Sequence, residues 1–164
     1  MRHLLLFLLL LLVVSPCRHG YADNLPKSLQ ANAPVSVTSD RLEADDKLHQ
    51  VRFIGNVVAK QGDVVIYAKE LVLVYPEKGR DIDRIEALGG VRIVQGNRVA
   101  TGEKASFFNQ QRKIVLTGSP RVYQGDDFLE GDEIIVLLDE QKSIVKSDHG
   151  SRVNAVFHPK GSQP

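Results

Sequence analysis

Three times this chain writes Gln-Gly followed by Asp or Asn: Gln61-Gly62-Asp63, Gln95-Gly96-Asn97 and Gln124-Gly125-Asp126. Six residues after each of those glycines stands a small residue, Ala68, Gly102 or Gly131, followed by charge and then an apolar or small run. A weaker copy opens the array at Ser39-Asp40-Arg41-Leu42, so the units start at 39, 68, 102 and 131. Gly55, Gly89-Gly90 and Gly118 mark a further shared position, which reads as another turn. Repetition at this period constrains the fold more than any single motif. One unit cannot bury an apolar face alone, whereas stacked units share a continuous core.

Gly-Asp and Gly-Asn supply the positive φ that tight hairpins need. Between the glycines lie apolar runs that alternate, with β-branched residues prominent after residue 50, as expected of strands with one buried face. The expectation is about four short strands per unit, each of roughly five to eight residues. No stretch of ten residues carries a helical period; residues 42–48 come nearest, but Asp45-Asp46-Lys47 reads as a turn. Laying the units over one another proposes the inward face. The aligned positions are Val51/Phe53, Ile85/Ala87 and Ile114/Leu116; Val57/Ala59, Val91/Ile93 and Val122; Ile66, Ala100 and Leu129; Leu71/Leu73, Ala105/Phe107 and Ile134/Val136. Members of each pair are two residues apart and so share a face.

The ends read differently. Met1, Arg2 and His3 precede an unbroken apolar run at 4–14 and a polar stretch ending Gly20-Tyr21-Ala22, the layout of a signal peptide cut after Ala22. Eleven helical residues reach only about 16 Å, against a hydrocarbon core of about 30 Å, so a membrane anchor is the weaker reading. Cys17 is the one cysteine; it is removed with residues 1–22, or lipidated if the cut falls before it. The expected organisation is a signal peptide (1–22), a flexible arm (23–34), one β domain (35–157) and a loose tail (158–164). Cleavage leaves 19 basic against 20 acidic residues, so a nucleic-acid partner is not expected.

Catalytic readings find little support. His49, His149 and His158 are isolated, and neither a nucleophile elbow nor a zinc spacing is present. The carboxylates at Asp45-Asp46, Asp126-Asp127, Glu130 and Asp132-Glu133 match no calcium-loop spacing and suit turns. The chain is therefore expected not to be an enzyme and to need no cofactor or metal. What remains is an apolar interior, either filled as a core or open enough to admit acyl chains. From the repeat alignment, the wall positions are Phe53, Ile66, Leu73, Ile93, Phe107, Leu116 and Val136.

Residues 35–150 resemble the OstA-like family. The likeness is carried by Ser39-Asp40-Arg41-Leu42-Glu43-Ala44, by Phe53-Ile54-Gly55-Asn56-Val57, by Gln61-Gly62-Asp63 leading to Ala68, and by the later units at 90–102 and 118–131. The resemblance implies an antiparallel β-jellyroll bent into an elongated, V-shaped trough open at both ends. It implies a periplasmic protein that shields the lipid A acyl chains of lipopolysaccharide and stacks head to tail. Such a stack bridges an LptC-like inner-membrane protein to an LptD-like outer-membrane protein. The terminal strands, around Val35-Val37 and residues 144–157, are the expected pairing edges. Two alternatives stay open: a membrane-anchored LptC-like member, and a structural β-solenoid that binds no lipid.

Overall fold

The alternating β-branched runs form strands, and all of the strand pairs are antiparallel. The computed structural model describes residues 34–159 apart from Arg80, Gln141 and His149. The expected signal peptide, the arm up to residue 33, His149 and residues 160–164 lie outside the described residues. No helix occurs among the described residues.

Among the described residues, twelve strands make one sheet. They are β1 (Ser36–Thr38), β2 (Arg41–Asp45), β3 (Gln50–Gln61), β4 (Val64–Val74), β5 (Arg84–Gln95), β6 (Arg98–Phe108), β7 (Lys113–Thr117), β8 (Arg121–Gln124), β9 (Asp127–Glu130), β10 (Glu133–Leu137), β11 (Lys142–Lys146) and β12 (Asn154–Val156). The Gln-Gly-Asp/Asn motifs are the hairpins β3–β4, β5–β6 and β8–β9, with Gly96 at φ 56° between the second pair. Asp45 closes the β2–β3 turn: its Oδ1 accepts the N–H groups of Lys47 and Leu48 at 2.9 and 3.0 Å.

Strands β3 to β6 run 11 or 12 residues, longer than the sequence suggests. The difference arises because Gly55 and Gly89-Gly90 do not reverse the chain. Pairing slips between Ile54 and Val57, between Tyr67 and Glu70, and between Leu88 and Val91. Two consecutive residues hold positive φ at Gly55 (81°) and Asn56 (46°), and the same doublet recurs at Gly118 (77°) and Ser119 (53°). At Gly55-Asn56 such a bulge bends β3 without ending it, whereas at Gly118-Ser119 β7 stops and β8 begins beyond the bend. Turns and bulges recruit the same residues, which is why the sequence reads these bulges as turns.

These slips align across the sheet and fold it along a crease into two walls, a V-shaped open trough. One wall is β2, the near halves of β3 to β6, then β7, β10 and β11. The other is β1, the remaining halves of β3 to β6, then β8, β9 and β12. The small-plus-charged pair that starts each repeat unit sits at this crease. Asp40 N–H donates to Gly55 O at 2.9 Å, and Asn56 Nδ2 donates to the Asp40 carboxylate at 2.8 Å. Glu103 N–H donates to Gly118 O at 3.2 Å, while its carboxylate accepts Gly90 N–H at 3.3 Å. Asp132 accepts Asp148 N–H at 2.7 Å. A side chain at Gly55 or Gly118 would collide with Asp40 or Glu103, respectively.

Candidate functional site

Strand alternation puts every second residue of each wall on the inner side of the V, and antiparallel register joins them into rows. On one wall Leu42, Phe53, Leu71, Ala87, Ala105, Leu116, Ile134 and Val145 are successive cross-strand partners. A second row there runs Ala44, Val51, Leu73, Ile85, Phe107, Ile114, Val136 and Ser143. On the other wall the row is Val37, Ala59, Ile66, Ile93, Ala100, Val122, Leu129 and Ala155. Two of these rows are apolar from edge to edge, and the third is apolar up to Ser143. Each transfers apolar area from water at about 25 cal/mol per Å², and none is interrupted by a charge.

The seven wall positions named from sequence all lie in these inward rows, but they divide by burial. Ile93, Phe107, Leu116 and Val136 belong to the buried core, with Ile93 and Leu116 each 2% exposed. Phe53, Ile66 and Leu73 are half-buried and pack against that core. The first four are packed into the core; the other three keep free apolar surface. Val37 and Val145 are also half-buried against the core, and the alignment did not name them as wall. Val145 was hard to assign because Ile144 beside it is equally apolar, so alternation alone leaves the phase of β11 open.

Near the hairpin turns of the β1–β12 wall, the inward row changes character. Gln61, Val64, Gln95, Arg98, Gln124 and Asp127 are successive partners there. Asp63 accepts from Gln95 Nε2 at 3.3 Å. Asp127 Oδ1 accepts His158 N–H at 2.7 Å, and the His158 ring Nδ1 lies 3.0 Å away. The His158 N–H first, and then its ring, hold the Asp127 carboxyl below the ordinary carboxylate range. The carboxylates singled out in the sequence disperse into separate local bonds. Glu130 pairs with Arg121 at 2.7 Å and Glu133 with Lys146 at 3.0 Å. Among the described residues no three His, Cys, Asp or Glu side chains gather as metal ligands.

The outward faces carry the ion pairs. Arg52 reaches Glu70 at 2.7 Å, and Glu86 takes Lys104 at 2.9 Å and Arg84 at 3.4 Å. Such surface pairs contribute about 0–1 kcal/mol each, so they mark the wet side of the walls more than they hold them. At the two ends of the sheet stand short strands with exposed apolar residues: Val35 and Leu42 at one end, Val153, Val156 and Phe157 at the other.

A creased antiparallel sheet, lined within by unbroken apolar rows and unclosed at both ends, defines the class of open β-trough proteins. Residues 36–142 match the family of the LptA/(LptD N-terminal domain) LPS transport protein. The chain is 31% identical over 134 residues to the lipopolysaccharide export system protein LptA of Escherichia coli K12, covering 77% of this chain and 71% of that protein. It is 26% identical over 162 residues to the protein of that name from Haemophilus influenzae, covering 94% and 91%. Its fold matches the crystal structure of LptH from Pseudomonas aeruginosa, described as the LptA-homologous periplasmic component of the lipopolysaccharide transport device. That match has a TM-score of 0.65 at 23% identity and covers 77% of this chain and 96% of the other. The chain belongs to the LptA/(LptD N-terminal domain) LPS transport family.

Proposed function

We propose that this chain is a periplasmic lipopolysaccharide transport protein that shields lipid A acyl chains between its walls. The observation that carries the reading is the pair of inward rows, apolar without a break from the first edge strand to the last. A lipid moving along them meets apolar side chains over the whole length of the sheet. Acyl chains cost about 0.8 kcal/mol per CH₂ when exposed to water, so an uninterrupted lining lowers that cost at each step. The half-buried Phe53, Ile66 and Leu73 are the contact surface, and the buried Ile93, Phe107, Leu116 and Val136 support it from beneath.

Stacking follows from the edges. Each wall contains eight strand positions, from β2 to β11 and from β1 to β12. All pairings are antiparallel, so β11 runs opposite to β2 and β12 opposite to β1. A second copy can therefore add its β1 to β12 and its β2 to β11 in one translation, with the ladder still antiparallel. The inward rows then continue from Ala155 to the next Val37 and from Val145 to the next Leu42. In the bridge so formed, one end meets an LptC-like inner-membrane protein and the other an LptD-like outer-membrane protein. Cleavage after Ala22 releases the chain into the periplasm.

A photo-crosslinking residue at Phe53 is expected to capture lipopolysaccharide in growing cells, and one at the outward Arg92 is not. Equal labelling at both sites would sink the trough reading and favour a filled solenoid that carries no lipid.

A further inference from the structure

The Gln-Gly-Asp/Asn motif accounts for its Gly and its Asp or Asn, but not for its Gln. A tight hairpin needs positive φ within the turn and makes no demand on the residue before it. Yet Gln61, Gln95 and Gln124 each end a strand, and each side chain falls on the inward face. Gln61 is 7% exposed, an amide carried into the interior. In the same row Arg98 sits between Gln95 and Gln124 on adjacent strands, about 4.8 Å from each in the hydrogen-bonding direction.

Arg98 differs from the paired arginines on the outward faces, and from the outward Arg92, which lies over the Tyr67 ring at 5.8 Å. Arg52, Arg84 and Arg121 all have carboxylate partners, while no carboxylate of the described residues pairs with Arg98. The nearby acids are engaged elsewhere, Asp63 with Gln95 and Asp127 with His158. The corresponding end of the other wall is spent internally: Asn109 Nδ2 donates to Ile82 O at 2.9 Å, and Arg112 pairs with Asp139 at 3.4 Å. Among the described residues, this rim of the trough thus presents a guanidinium flanked by amides, two residues beyond the apolar row of Ile93 and Ala100.

We propose that this rim seats the phosphorylated sugar head of the carried glycolipid, with Arg98 on a phosphate and Gln95 and Gln124 on sugar hydroxyls. The assignment rests on the lipid-carrier reading and deepens it. A planar guanidinium matches a phosphate with two parallel N–H donors. Amide side chains both donate and accept, as hydroxyls require. One step of two strand residues, about 7 Å, separates this row from the last apolar row. A lipid whose tails lie on Ile66 and Ile93 therefore brings its head to Arg98.

The test is equilibrium binding of the purified protein to bisphosphorylated lipid A and to the same lipid stripped of phosphate. Arg98→Gln is expected to weaken binding of the phosphorylated lipid by about tenfold, as loss of a charge-assisted pair does. The stripped lipid should stay within about twofold, and Arg98→Lys should restore part of the loss as a point charge without the fork. The outward Arg92→Gln should change neither. If Arg98→Gln weakens both lipids equally, or neither, the head-group assignment is overturned. Inorganic phosphate that binds the wild type as tightly as the lipid does, and fails to bind Arg98→Gln, would make this a free-anion site instead. The carrier reading is tested apart from the head group by Ile66→Asp. Undiminished binding of both lipids to that variant removes the trough itself.

Discussion

At the scale of single residues, the crease depends on positions where a side chain has no room. Gly118 holds φ 77°, and its missing Cβ would overlap the Glu103 side chain. Gly118→Ala imposes both the left-handed backbone cost and that overlap, so urea denaturation should show a loss of about 1–3 kcal/mol. Gly125 also holds positive φ (60°), but nothing lies within 4 Å of a Cβ there. Gly125→Ala should therefore cost less, since only the backbone term of about 1 kcal/mol remains. Both glycines belong to the repeat and look alike as letters. Sequence announced that each needs positive φ; it could not say which one faces another side chain. The inward pairs were legible because Phe53, Leu71 and Ile134 obey a period of two. The glutamines were visible as a repeat, yet their inward direction appeared only with the register.

At the scale of elements, β12 is the least secured strand. Its three residues are all exposed, and it pairs only with β9. Beyond it, His158 ties the segment back to Asp127. Because the Asp127 carboxyl is held below its ordinary value of 3.8, the tie is complete above that value. It is lost as pH falls through the lowered one. The protection of the β12 amides, measured by hydrogen exchange against the intrinsic rate at each pH, should therefore fall once the pH drops below the ordinary carboxylate range, and Asp127→Asn should remove that pH dependence. Protection unchanged by acid would mean that the β9 ladder alone secures the strand. Sequence placed a loose tail from residue 158, whereas His158 makes a specific bond. A lone histidine next to a proline gave no sign of it, since its partner lies 31 residues away.

At the scale of the whole molecule, the proposed stacking makes a prediction about two edge strands, β2 and β11. If Val145 of one copy lies beside Leu42 of the next, cysteines at both positions should produce a ladder of disulfide-linked oligomers on oxidation. Either cysteine alone should stop at dimers or stay monomeric. Gel electrophoresis without reductant reads the outcome, and a double variant that yields no ladder argues against this stacking register. The array of strands could be seen in the sequence because each Gln-Gly turn announces a hairpin. The division into two walls could not, because a crease is a relation among Gly55 on β3, Gly89 on β5 and Gly118 just after β7 and leaves no trace in any one of them.

The eight-strand width of each wall also bears on how such a chain can change length. One repeat unit adds two strands to each wall, and two strands return the edge to its original direction. Gain or loss of whole units through duplication or deletion therefore leaves the first and last edges compatible. One strand more or less in each wall would set its two edges running the same way, and the ladder proposed between copies would break. The repeat period is in that sense a unit of inheritance: it is the smallest increment by which a chain of this design can grow and keep its first and last edges complementary.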